Sequence, residues 1–65
     1  MKIRYFEDTD TLFIELKAGS VAETRDLDEN TLLDSDAQGQ VLAITFEHAT
    51  DRAELSNFSF DCVAA

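Results

Sequence analysis

Proline and tryptophan are missing altogether, and glycine occurs only twice in 65 residues, at Gly19 and Gly39. With so few breakers the chain contains no linker, repeat or low-complexity tract, and one domain built from short elements and short connections is expected. Cysteine is almost absent as well, since Cys62 stands alone. A single thiol closes no intrachain disulfide. One cysteine with the one histidine, His48, also falls short of the four ligands of a structural zinc site. A domain of this size buries only about 60% of the surface its unfolded chain exposes, so its small core calls for reinforcement. With disulfide and zinc set aside, association through apolar surface remains, and a homodimer or higher homo-oligomer is expected.

Basic residues are scarce too: five Lys and Arg stand against fourteen Asp and Glu, for a formal charge of −9. Nucleic acid binding runs on neutralisation of phosphates by clustered Lys and Arg, which argues against DNA or RNA as a direct partner. The same deficit disfavours anionic membrane surfaces, and no stretch approaches the roughly 20 apolar residues of a membrane span. The opening residues, Met1 to Tyr5, enter a strand pattern at once and lack the apolar core of a signal peptide, so a cytoplasmic location is expected. Acidity of this kind serves solubility first. Where it serves recognition it suits a basic protein, and Glu23, Asp26, Asp28 and Glu29 are the positions expected to steer one.

What the chain does have is a beat of two. Five stretches place apolar side chains at alternate positions, as half-buried antiparallel strands require. Lys2 to Phe6 sets Ile3 and Tyr5 on one face. Glu7-Asp8-Thr9-Asp10 then turns the chain into Thr11 to Leu16, where Leu12, Ile14 and Leu16 share a face. Lys17-Ala18-Gly19-Ser20 makes the next turn, with Gly19 expected at positive φ. Val21 to Leu27 is mostly polar, which suits an edge. Asp28-Glu29-Asn30 leads into Thr31 to Asp34, and Asp34 to Gly39 leads into the last strand, Val41 to His48.

That last strand is apolar on both sides, with Leu42, Ile44 and Phe46 opposite Val41 and Ala43, and so belongs inside the sheet. The second face gains Phe6 and Phe13, which fall out of register with the Ile3/Tyr5 and Leu12/Ile14 sets. Two apolar faces need two covers. The segment from Thr50 to Ala65 is expected to supply one, with Thr50 or Asp51 capping a helical turn through Leu55 and with Phe58, Phe60 and Val63 as bulk. A second copy of the sheet is expected to supply the other, through an interface that includes Phe6, Phe13, Phe58 and Phe60. The fold class is thus mainly β (α+β), a four- to five-stranded antiparallel meander over residues 1–49. A short helical or irregular segment, 50–65, packs on the sheet or on a partner subunit.

Chemistry is thin. Asp34-x-Asp36-x-Gln38-Gly39 opens like a calcium loop, but its twelfth position is Thr45, inside a strand, where a bidentate glutamate should begin a helix. A hairpin loop explains the same residues without an ion. A metal- or ligand-binding role for Asp34 and Asp36, with His48 beside them, is the alternative to a protein-binding one. His48 has no nucleophile placed near it, and Cys62 has no Lys or Arg in its segment to lower its pKa. Carboxylate pairs such as Asp8 with Asp10 or Asp26 with Asp28 lack a cleft to work in. No catalytic residue, cofactor or enzymatic activity is therefore assigned.

Several stretches nonetheless carry a resemblance: Met1-Lys2-Ile3-Arg4-Tyr5, Asp10-Thr11-Leu12-Phe13-Ile14-Glu15-Leu16, Glu23-Thr24, and Asp34-Ser35-Asp36 with Gly39 and Val41. Over about the first 49 residues the chain resembles the small bacterial family of domain of unknown function 2283. That resemblance implies a short antiparallel sheet and no established activity. For some members it implies a setting like that of the small partner in a toxin–antitoxin-like gene pair. Members typically read Gly-Ile-Glu-Ile in the last strand where this chain has Ala43-Ile44-Thr45-Phe46, so any role of that carboxylate is lost here.

Overall fold

A computed structural model describes residues 1–64. Strands β1 (Lys2–Phe6), β2 (Thr11–Glu15), β3 (Glu23–Asp28), β4 (Thr31–Ser35) and β5 (Val41–Phe46) are followed by one 3-10 turn, η1 (Ala49–Asp51). All five strands join one antiparallel sheet, so the chain is mainly β, as its alternation requires.

Across the sheet the order is β1-β2-β5-β4-β3. Meander connectivity holds within β1–β2 and within β3–β4–β5, but β2 and β3 are not neighbours. The most apolar strand, β5, is wedged between β2 and β4, where both of its edges are hydrogen-bonded. Polar β3 takes an outer edge, and its acidic side chains discourage pairing with stray chains. This order obliges the β2–β3 connection, residues 16–22, to cross three strand spacings, about 14 Å. Along the way the N–H groups of Leu16 and Lys17 donate to the Leu42 carbonyl at 2.7 and 3.3 Å, and that of Ala22 to the Ser35 carbonyl at 2.8 Å.

Gly19 lies in this crossing segment, and its role differs from the expected one. Gly39 is the only glycine at positive φ, at 82°. At Gly19 what matters is space, because a Cβ there would stand 2.9 Å from Leu42 Cδ2. The glycine lets the connection lie against Leu42, which is one of the few buried side chains.

Register and alternation sort the side chains onto two faces. On the front, one row runs Ile3, Ile14, Ile44, Leu33 and ends at Arg25; a second runs Tyr5, Leu12, Phe46, Thr31. On the back, a row runs Arg4, Phe13, Thr45, Leu32, Asp26, with Phe6 beside it. The front is apolar across four strands, whereas the back mixes apolar and charged residues.

Among the described residues only Leu42, Ala43 and Ala49 are buried apolar residues, and no large side chain is fully buried. The molecule is a plate of 36 × 34 × 18 Å, with a radius of gyration of 13.1 Å against about 11 Å for a compact chain of this length. Beyond Asp51 no strand or helix forms among the described residues, and Phe58, Phe60 and Val63 are exposed. The expected helical turn capped by Thr50 or Asp51 is replaced by η1, whose N-cap, His48, lies two residues before Thr50. His48, in the left-handed region at φ 54°, occupies its N-cap position without a side-chain capping bond.

Candidate functional site

Two polar clasps organise one end of the sheet. The first centres on Asp10, the last residue of the β1–β2 turn, held at φ 51°. Its carboxylate accepts the Tyr5 hydroxyl at 2.7 Å and the Thr50 hydroxyl and N–H at 2.8 and 3.1 Å, and its carbonyl accepts the Ala49 N–H at 2.9 Å. The Tyr5 and Thr50 hydrogen bonds hold the Asp10 carboxyl below its ordinary value, and the same Tyr5 bond raises the phenol above its own.

The second centres on Arg52. Its guanidinium donates to the carbonyls of Asn30 and Glu47 at 2.7 and 3.2 Å and to the Thr31 hydroxyl at 2.6 Å. It also lies 5.2 Å from the centroid of the Phe46 ring and 3.9 Å from Asp28. Asp28 in turn accepts the Asn30 N–H at 2.8 Å, and this bond, with one from Thr31, holds its carboxyl low. Both clasps satisfy themselves. Each spends its donors and acceptors on tying η1 to the strand ends, so neither presents a free reactive group.

The sequence-predicted positions are dispersed. Asp36 is consumed by its own turn, its carboxylate accepting the N–H groups of Gln38 and Gln40 at 3.0 and 2.8 Å. Asp34 instead accepts the Thr24 hydroxyl at 2.7 Å across the β3–β4 pair. No group of three or more His, Cys, Asp or Glu that could hold a metal ion occurs among the described residues. Glu23, Asp26, Asp28 and Glu29 line the outer edge strand and its turn, all exposed. Glu23 and Asp26 point to opposite faces by alternation, and Asp28 is partly engaged by Arg52.

The four phenylalanines expected at an interface do not share a surface either: Phe6 and Phe13 belong to the back, whereas Phe58 borders the front. There Ile3, Tyr5, Leu12 and Ile14 face Leu55 and Phe58 across an apolar cleft of about 440 Å³. A smaller hollow of about 300 Å³ between Phe46, Ala49 and Arg52 continues it. His48 and Cys62 are exposed and stand outside both clasps. Sequence reasoning missed Asp10 as a hub and missed Arg52 entirely. The available signal was weak, an aspartate closing a four-residue turn and the only arginine after the last strand.

Geometrically this is a single-layer five-stranded antiparallel sheet protein whose exposed features are an apolar front and an acidic edge. The chain belongs to the family described as protein of unknown function, DUF2283, whose profile matches residues 2–49. Both clasps therefore join the matched region to its own end or to the tail, since Asp10 lies within it and Thr50 and Arg52 just beyond. No curated protein and no solved structure matches the chain. No helix among the described residues is long and apolar enough to cross a membrane.

Proposed function

We propose that this chain is a non-catalytic protein-interaction module that holds a basic protein against its acidic edge, as the small partner of a toxin–antitoxin-like pair would. The observation that carries the reading is the segregation of charge between the two outer strands. β3 and its turn expose Glu23, Asp26 and Glu29 against the single cation Arg25, whereas the β1 strand, at the opposite edge, carries Lys2 and Arg4 before its acidic turn at Glu7 and Asp8. An acidic rim of this kind steers a cationic surface and raises its association rate, and an unpaired strand edge adds main-chain groups for it to bond. The two clasps support a scaffold role, because their polar atoms are spent on holding the sheet ends. Affinity capture from the native cell tests the proposal. A basic protein should return in fixed ratio, its binding should weaken steeply with salt, and E23K/D26K/E29K should lower its affinity roughly tenfold or more. Binding that ignores both salt and charge reversal refutes the reading.

A further inference from the structure

We infer that the apolar front of the sheet is an interface with a second copy of this chain, closing a two-layer sandwich around a two-fold axis. The proposal concerns a different surface from the acidic edge and stands whether or not a basic partner exists.

A folded monomer of 7.3 kDa exposes about 4,200 Å², whereas this chain exposes 5105 Å². The excess, about 900 Å², is close to the roughly 800 Å² per partner that a stable interface of standard size covers. Part of the excess belongs to the tail, where Phe58, Phe60 and Val63 are exposed, and part to the front, where Ile3 and Tyr5 remain 40% and 37% exposed and Leu12, Ile14, Ile44 and Phe46 are half-buried. Stable domains bury a sheet's apolar face against a second layer, and here that layer is partial, with η1 and Arg52 at one end and the Gly19 connection against Leu42 at the other.

The chain's own tail is a poor second layer. Residues 52–64 form no strand or helix, so laid flat over the front they would bring unpaired backbone N–H and C=O groups into an apolar interface. Leu55 and Phe58 of the tail lie over the β1–β2 side and Arg52 lies over Phe46, whereas Ile44 and Leu33, at the centre of the front, stay only half-buried. A second sheet has its backbone groups already paired in its ladders. It packs about 10 Å away with interdigitating side chains, and a tolerated angle between the strand directions fits two twisted sheets.

Chemistry selects a copy over a foreign chain. The row Ile3, Ile14, Ile44, Leu33 carries no charge until Arg25, on the edge strand that also bears Glu23 on the same face. A two-fold axis makes any such face meet itself, and a neutral, flat, apolar surface is self-complementary. Apart from Glu54 beside the cleft, the acidic residues stay on the back, the edge, the turns and the tail, so two copies at −9 each keep most of their charge away from the contact. A basic partner would find only Glu23, at the edge, and Glu54, beside the cleft, to pair with on this side.

The test uses the full-length chain. Sedimentation equilibrium at micromolar concentration should return twice 7.3 kDa. In a mixture of isotope-labelled and unlabelled chains, filtered NOEs should connect methyl groups of Ile14, Ile44 and Leu33 across the interface. Ile14→Glu should shift the chain to monomer or unfold it, while Phe13→Ser, on the back, should leave the dimer intact. The filtered NOEs on the unmodified chain decide the matter if Ile14→Glu fails to fold. A folded 7.3 kDa species whose front methyls are shielded by the tail overturns the proposal, as do intermolecular NOEs confined to Phe6 and Phe13 or the appearance of only a foreign protein on the front.

Discussion

At the residue scale, the two glycines illustrate different physical demands that composition alone does not separate. Gly39 sits at φ 82°, where an L side chain is strained, and nothing surrounds it, so Gly39→Ala should cost about 1 kcal/mol through the backbone alone. Gly19→Ala should cost about 1 kcal/mol through overpacking, because its new methyl would press on buried Leu42. Urea denaturation of a double-mutant cycle separates them: trimming Leu42 to Val should recover part of the Gly19→Ala loss and none of the Gly39→Ala loss. Asp36 makes a third demand. Its carboxylate serves two backbone N–H groups of its own loop, so millimolar calcium should leave the melting midpoint unchanged, and a concentration-dependent rise would show an ion site. Asp10 carries one part of the acid-side pH dependence and Asp28 the other. The folded pKa of Asp10 lies below the ordinary 3.8, so the unfolded chain takes up the proton first on acidification. The stabilisation is full above about pH 4 and is lost as pH falls through the folded value. Asp10→Asn should flatten that acid limb between pH 2 and 5, and coincident slopes for the two proteins would contradict the clasp.

At the element scale, alternation made all five strands legible, because a half-buried strand shows its period in any window of five residues. The edge position of β3 and the inner position of β5 were legible too, from charge on one and apolar residues on both sides of the other. Strand order was not, since nothing local to β2 or β3 announces that β5 and β4 will stand between them. The clasps were hidden for the same reason. Asp10 reads locally as a turn residue, and its bonds to Thr50 span 40 positions. Arg52 follows the last strand in a segment without a period of its own. The helical turn expected there does not extend to Leu55, because one or two turns without a continuous apolar face do not repay helix nucleation. Arg52 nevertheless stitches the β3–β4 turn, the end of β5 and η1 together. Arg52→Met should destabilise the fold by about 2 kcal/mol, leaving the Asn30 and Glu47 carbonyls without this donor. Arg52→Lys should recover little of it, since an ammonium lacks the planar fork that spans those carbonyls and Thr31 while lying over Phe46. Hydrogen exchange gives the local readout: the Glu47 and Ala49 amides should lose protection before those at the centre of β5.

At the scale of the whole molecule, the balance lies between an apolar front that favours association and a charge of −9 that opposes it. If the sheet gains its second layer only in the dimer, unfolding and dissociation are one event, and the melting midpoint must rise with protein concentration. Across a hundredfold range that rise should be roughly 5–10 °C, and a midpoint independent of concentration would mean that one copy is a complete fold. Salt then distinguishes the two surfaces. Screening weakens repulsion between two acidic copies while leaving apolar contact intact, so moderate sodium chloride should strengthen self-association. The same salt should weaken capture of a basic partner, whose attraction to Glu23, Asp26 and Glu29 is electrostatic. Opposite salt slopes, measured by sedimentation for one and by binding titration for the other, are expected only if the two surfaces are separate. Parallel slopes would mean that a single surface serves both, and the assignment of front and edge to different occupants would fail.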